Sequence, residues 1–116
     1  MHATTILSLA LALVPFCSAD PNARVMLFNQ PNFQGQNMEV PMHECVGVKH
    51  MERVGSMNIQ PFEGALCTLY SDMGCHNGPL CTTTRSVSDF RRGDEDCRPE
   101  VGDRMQTILC RTVNQQ

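Results

Sequence analysis

Cysteine is the residue type that most constrains how this chain can fold. The 116 residues contain seven cysteines, but no Trp, one Tyr and five Phe. A chain of this size buries only about two-thirds of its unfolded surface, so its core alone leaves a thin margin of stability. An even set of six cysteines after residue 44 predicts three disulfides, each contributing about 2–4 kcal/mol. The six are Cys45, Cys67, Cys75, Cys81, Cys97 and Cys110.

The first 19 residues predict a signal peptide that is removed on export. Residues 5–16 read TILSLALALVPF, and Cys17-Ser18-Ala19 places small residues before the expected cleavage site. The run is too short to span a bilayer. Because it lacks the usual positive charge at its start, a buried amino-terminal element is the alternative. Cleavage would remove Cys17 and leave residues 20–116 as one secreted domain with no transmembrane segment.

Export would bring the six remaining cysteines into an oxidising compartment, where disulfides form. Fifteen pairings are open, and the sequence does not choose among them. Zinc binding is the rival interpretation, but zinc sites favour close pairs such as C-x2-C, and the shortest gap here runs from Cys75 to Cys81. An even count also leaves no free thiol for catalysis.

The charged and titratable residues predict neither nucleic-acid binding nor catalysis. The net charge is −3 and no basic patch occurs, so the electrostatic footprint of a nucleic-acid binder is missing. We expect His43, His50 and His76 at the surface, because nothing places them beside a nucleophile at a motif spacing. The sequence contains no G-x-S-x-G, H-E-x-x-H or phosphate-binding glycine loop. We therefore predict no catalytic residue, no cofactor and no enzyme activity.

The remaining pattern is that of an all-β chain. Short apolar or β-branched segments are separated by clusters of Pro, Gly, Asn and Asp, which favours a sandwich or barrel with Greek-key connections. The predicted strands cover residues 24–28, 36–40, 55–59, 65–70, 80–87 and 104–113. The pattern is also written twice, since LFNQPNFQG and LYSDMGCHNG each begin a similar succession of strands and turns.

At these residues the chain resembles the βγ-crystallin family. The family's hairpin has an aromatic residue, four residues, a second aromatic, one residue and a glycine, which match Phe28, Phe33 and Gly35. Ser56 matches the family's serine that binds that hairpin. Thr107, which follows the stretch beginning RRGD, matches the equivalent hydroxyl residue. The resemblance implies a two-sheet sandwich of two Greek keys, about residues 24–60 and 65–112.

The hairpin residues are expected to have an architectural role. Gly35 can adopt positive φ, Pro31-Asn32 favours a turn, and the two rings cover the bend. The second repeat departs from the pattern. Tyr70 matches the first aromatic, but Cys75 stands in place of the second and the glycine, Gly78, comes one residue late. A disulfide is expected to replace the aromatic contact there.

Many members of this family bind calcium through two Asn/Asp residues, two variable residues, Ser/Thr and Ser. The matching segments here are the first run, residues 51–56 (MERVGS), and the second run, residues 102–107 (GDRMQT). Calcium prefers several oxygen ligands. Both runs lack most of them, so we expect no tight calcium site and leave weak binding at Asp103 open.

The function follows from the resemblance by analogy only. Small secreted microbial members include killer toxins and protease inhibitors. The leading hypothesis is a secreted, monomeric effector or toxin-like protein that binds an unidentified protein or cell-surface partner on a host or competing cell. The alternatives are a proteinase inhibitor that presents residues 71–80, and a structural or stress-related weak calcium module. Arg92-Gly93-Asp94 is interpreted as an ordinary loop of the fold rather than an adhesion motif.

Overall fold

Seven strands and two short helices make up the described part of the chain. The computed structural model describes residues 23–113, so the predicted signal peptide lies outside the described residues. The strands are β1 (Arg24–Gln30), β2 (Gln34–Val40), β3 (Cys45–Gly47), β4 (Ser56–Gln60), β5 (Ala65–Tyr70), β6 (Pro79–Thr83) and β7 (Thr107–Thr112). A 3-10 turn covers Lys49–Met51, and the helix α1 covers Val101–Arg104. Neither helix within residues 23–113 is long and apolar enough to cross a membrane.

The strands form two antiparallel sheets, with orders β2-β1-β4 and β3-β7-β5-β6. Strand β3 belongs to the first half of the chain but pairs with β7 of the second half. In return, Val87 of the second half forms a bridge with Met57 in β4. Each half therefore lends a segment to the sheet of the other, as in two interlocked Greek keys. The predicted all-β fold of two sheets is confirmed.

Three elements differ from the predicted strands. The segment predicted over 80–87 ends at Thr83, whose hydroxyl accepts a hydrogen bond from the backbone N–H of Arg85 (3.0 Å) and closes a turn. The strand predicted from residue 104 begins at Thr107, because α1 precedes it. Strand β3 was not predicted, since three residues are too few to show an alternating pattern.

The core lies between the two sheets and follows the two-residue period of the strands. In β5, for example, Ala65, Cys67 and Leu69 are fully buried while the residues between them are partly exposed. The largest fully buried side chain is Phe90, which comes from the long connection between β6 and β7. That connection is therefore anchored by a ring in addition to the isolated bridge of Val87 to Met57.

Three disulfides join the cysteines, and all three involve the second sheet. The pairs are Cys45–Cys75, Cys67–Cys110 and Cys81–Cys97. The first joins β3 to the hairpin after β5, the second joins directly opposite positions of β5 and β7, and the third joins β6 to the loop before α1. The first sheet, β2-β1-β4, has no disulfide among its described residues.

Disulfide mapping tests this pairing. We expect a non-reducing digest, read by mass spectrometry, to give the pairs 45–75, 67–110 and 81–97. Replacing Cys67 and Cys110 together by Ala should lower the free energy of unfolding by about 2–4 kcal/mol, measured by urea titration, because the closed loop of the unfolded chain is released. Any exchanged pair in the digest would contradict the topology described above.

Candidate functional site

The first hairpin (residues 28–35) folds back over its own sheet. The rings of Phe28 and Phe33 meet edge to face, with centroids 5.9 Å apart. Asn32 and Phe33 have φ of 61° and 60°, and Gly35 has φ of 87°. A Cβ at Gly35 would also overlap the side-chain oxygen of Asn29. Position 35 therefore requires glycine both for its backbone angle and for space.

A buried hydroxyl holds this fold-back in place. Ser56, fully buried, lies opposite Phe28 across the β1–β4 pair. Its Oγ donates to the backbone carbonyl of Gln30 (2.7 Å) and accepts a hydrogen bond from the backbone N–H of Phe33 (2.9 Å). Both backbone groups lie at the bend and are satisfied by one side chain. The serine that the resemblance assigns to the hairpin thus has a direct physical role there.

The second hairpin (residues 70–78) repeats this contact. Thr107 lies opposite Tyr70 across the β5–β7 pair, as Ser56 lies opposite Phe28. The Thr107 hydroxyl donates to the backbone carbonyl of Asp72 at 2.8 Å. Asp72 stands two residues after the aromatic, the same offset as Gln30 in the first hairpin. The two halves therefore use one hydrogen bond in the same place.

The second hairpin differs from the first in how the bend is closed. Cys75, at the position of Phe33, has a similar φ of 56°, and Gly78 has φ of 70°. In place of a ring contact with Tyr70, Cys75 forms its disulfide with Cys45 in β3. The hairpin of the second half is therefore tied covalently to a strand from the first half.

Asp72 caps the second hairpin with its carboxylate. Its Oδ2 accepts the backbone N–H groups of His76 (3.3 Å) and Asn77 (3.2 Å). Burial acts to raise the pKa of the Asp72 carboxyl, but the N–H donors of Asn77, His76 and Gly74 outweigh it and hold that pKa below its ordinary value. The sequence interpretation missed this role, although an Asp at the start of a turn is a known signal for a side chain that binds backbone N–H groups.

The large exposed apolar side chains lie in turns. Met73, in the second hairpin, is 60% exposed, and Phe33, in the first, is 37% exposed. Phe62, in the β4–β5 connection, is 80% exposed. Phe62 lies two residues after the end of β4, whereas Ser56 and the hairpins lie where β4 and β7 begin. Phe62 is therefore at the opposite end of the strands from Met73 and Phe33.

The two runs compared with the calcium motif lie against each other where β4 and β7 begin. We call this the hairpin end of the domain. The backbone N–H of Val54 in the first run donates to the carbonyl of Gly102 in the second run (3.2 Å). Nε of Arg53 lies 3.6 Å from Oδ1 of Asp103. A cleft of about 170 Å³ lies between the runs and is lined by residues of both. The carboxylate of Asp103 therefore already has the guanidinium of Arg53 beside it.

The histidines do not form a site in the described part of the chain. His43, His50 and His76 are all exposed. No three His, Cys, Asp or Glu residues within residues 23–113 come together in a way that could hold a metal ion. All six cysteines that the zinc alternative would need are in disulfides.

Arg92-Gly93-Asp94 forms part of a closed turn. Oδ1 of Asp94 accepts the backbone N–H groups of Asp96 (2.9 Å) and Cys97 (2.8 Å). Gly93 has φ of 71°, and a Cβ there would lie 2.6 Å from the carbonyl oxygen of Cys97. The aspartate therefore has a structural partner within its own loop.

Comparison with solved structures identifies the fold. No protein-family model matches the chain, and no curated protein matches it in sequence. The N-terminal domain of Protein S superposes with a TM-score of 0.59 at 13% identity, over 78% of this chain and 98% of that one. A βγ-crystallin domain of the Abundant Perithecial Protein from Neurospora crassa, solved in its Ca²⁺-bound form, gives 0.59 at 12% identity, over 81% and 93%.

A βγ-crystallin domain from Clostridium beijerinckii gives a TM-score of 0.56 at 13% identity, over 76% of this chain and 96% of that one. Identities this low establish the fold and nothing more. The resemblance found in the sequence is therefore confirmed as a βγ-crystallin fold that spans the two sheets.

Removal of the Ser56 hydroxyl tests its role in the first hairpin. Ser56→Ala leaves the Gln30 carbonyl and the Phe33 N–H without that partner, so we expect the free energy of unfolding to fall by about 1–3 kcal/mol in urea titration. Ser88→Ala is the matched control, because Ser88 is exposed and such substitutions cost at most about 0.5 kcal/mol. Equal losses for the two variants would contradict the assignment.

The Asp72 carboxylate predicts a loss of stability in acid. Because the folded-state pKa lies below the ordinary value of 3.8, the ionised group stabilises the fold above that pH. This contribution is lost as the pH falls through the folded-state pKa. The difference in melting temperature between the wild type and Asp72→Asn should therefore shrink from neutral pH towards strongly acidic pH. A gap that stays constant would contradict the cap, and Glu95→Gln, at an exposed position, serves as the control.

Proposed function

We propose that this domain, which has the βγ-crystallin fold, is a secreted, non-enzymatic protein that acts by binding a partner on a host or competing cell, as an effector or toxin-like protein does. This fold generally serves structural or binding roles, and the fold alone does not decide between them. The observation that carries the proposal is the second hairpin, which holds an apolar side chain outward on a fixed backbone.

The backbone of the second hairpin is fixed from several directions. The disulfide of Cys75 anchors it to β3, and the Thr107 hydroxyl binds the Asp72 carbonyl. The N–H of Ser71 donates to the carbonyl of Gly78 (3.0 Å), which closes the base of the hairpin. The loop therefore has little conformational freedom left to lose when it meets a partner.

Met73 is the side chain that this backbone presents. Burying a methionine side chain in a partner contributes about 1.5–3 kcal/mol. A fixed backbone adds to the net affinity, because ordering a loop on binding costs free energy. Methionine is also flexible enough to fit an irregular apolar pocket. Phe33, exposed on the first hairpin at the same end, can add apolar area to the contact.

The same hairpin supports the proteinase inhibitor as a second candidate. Only Gly74 separates the exposed Met73 from Cys75 and its disulfide. The Asp72 carboxylate binds N–H groups on the far side of the Met73–Gly74 bond. If a protease cut there, the two ends would stay joined. This candidate predicts stoichiometric inhibition of a protease that accepts a large apolar side chain.

A weak calcium module is the third candidate, since the Neurospora domain was solved with Ca²⁺ bound. In this chain it depends on Asp103, which has Arg53 beside it. This candidate predicts a higher melting temperature in millimolar calcium. The ion pair of Asp103 with Arg53 favours the partner-binding proposal over this candidate.

A charge placed on the second hairpin tests the binding proposal. With purified protein applied to host and competitor cells, we expect Met73→Glu to raise the concentration for a half-maximal response at least about tenfold, since the buried methionine is lost. Phe62→Glu is the control at the opposite end and should leave that concentration unchanged. Melting temperatures of both variants should match the wild type, because both positions are exposed.

A panel of metallo- and serine proteases separates the first two candidates. A cell response without inhibition supports the binding proposal. Stoichiometric inhibition without a cell response supports the inhibitor and contradicts the effector. A response that Met73→Glu leaves intact would show that the partner binds elsewhere on the domain.

A further inference from the structure

The first run lacks two of the side chains that the calcium pattern places there, although Glu52 and Ser56 stand at its second and sixth positions. Its first position, Met51, is buried in the core with 2% exposure. Its fifth position is Gly55, where a Cβ would lie 2.5–2.8 Å from the backbone atoms of Gln30. A serine or threonine does not fit at that distance, because the backbone of the first hairpin already occupies the space.

The second run is closed in a similar way. Its first position is Gly102, where a Cβ would overlap the carbonyl oxygen of Val54 and lie 2.9 Å from Cβ of Phe90. Its fifth position is Gln106, whose backbone N–H donates to Tyr70 (2.8 Å) and which carries an amide instead of a hydroxyl. Asp103, in the second position, is the one carboxylate that follows the pattern.

The charges around the cleft oppose a divalent cation. Its lining includes two carboxylates, Glu52 and Asp103, and three basic side chains, Lys49, Arg53 and Arg104. Calcium takes six to eight oxygen ligands, generally with several carboxylates. The residues present therefore do not fit a calcium ion, although the two runs meet as the fold requires.

We infer that the guanidinium of Arg53 takes the place of a calcium ion between the two runs. Arg53 belongs to the first run and Asp103 to the second, so their ion pair spans the junction beside the Val54–Gly102 hydrogen bond. The contact between the two runs is thus bridged by an internal cation and does not respond to calcium. This inference does not depend on the partner proposed above.

The ion pair is exposed, which sets the size of its effect. The side chains of Arg53 and Asp103 are 47% and 62% exposed. Ion pairs of this kind contribute little individually and are screened by salt. Reversing the charge of Arg53 is the sharper change, because it sets a carboxylate against Asp103 and beside Glu52. The cleft then has three carboxylates against the two basic side chains of Lys49 and Arg104, so its balance of charge favours an external cation.

Thermal unfolding of charge-reversed variants tests the inference. In millimolar CaCl₂ the wild-type melting temperature should equal that in NaCl of the same ionic strength. Arg53→Glu should melt about 2–6 °C lower than the wild type without calcium, and calcium should recover at least half of that loss. Arg111→Glu makes the same charge change at an exposed position on β7, and calcium should recover none of its loss.

Three outcomes would overturn the inference. A wild-type protein that calcium stabilises would still have an ion site. Equal melting temperatures for Arg53→Glu and Arg111→Glu would mean that Arg53 does not stabilise the contact between the two runs. An Arg53→Glu loss that calcium does not recover would mean that no cation is being replaced. If Arg53→Glu fails to fold, the gap between the wild type and Arg53→Gln must shrink in molar NaCl, and a gap independent of salt overturns the inference.

Discussion

The structure depends on a buried hydroxyl at the first residue of β4 and again at the first residue of β7. A hairpin that bends over its own sheet leaves backbone groups without a partner in the sheet, and each unpaired buried group costs about 1–3 kcal/mol. Ser56 and Thr107 supply that partner from β4 and β7, the strands that pair with the first aromatic residue of each hairpin. Both hydroxyls are almost completely buried, so water cannot replace them. The bend and the start of the closing strand are therefore fixed together.

The two halves share this hydrogen bond but are stabilised in different ways around it. The first half closes its bend with the Phe28–Phe33 contact, and its sheet has no disulfide among the described residues. The second half closes its bend with Cys75 and has all three bridges in or against its sheet. Stability of the first sheet therefore depends on packing, and that of the second depends on an oxidising environment. The Cys45–Cys75 disulfide joins the two halves of the chain, because β3 belongs to the first half in sequence but lies in the second sheet.

Local patterns explain which features could be predicted from the sequence. Alternation in β1 and β5 and the aromatic, proline and glycine spacing of the first hairpin are encoded within ten residues. The Cys45–Cys75 pairing is not encoded locally, since it depends on β3 of the first half pairing with β7 of the second. The same holds for the bridge of Val87 to Met57 and for the ion pair of Arg53 with Asp103, whose partners are separated by 30 or more positions in the sequence. Long-range contacts of this kind follow from the assembled fold and not from any one segment.

The two hairpins and the two runs converge at one end of the domain. The Ser56 and Thr107 contacts bring each hairpin to its run, and the Val54–Gly102 hydrogen bond brings the runs to each other. Backbone atoms of Gln30 and Val54 fill the space where ligand side chains would stand at Gly55 and Gly102. What this end offers to the solvent is the set of side chains on its turns, above all Met73. The shape of this surface is set by the same hydroxyls that close the fold.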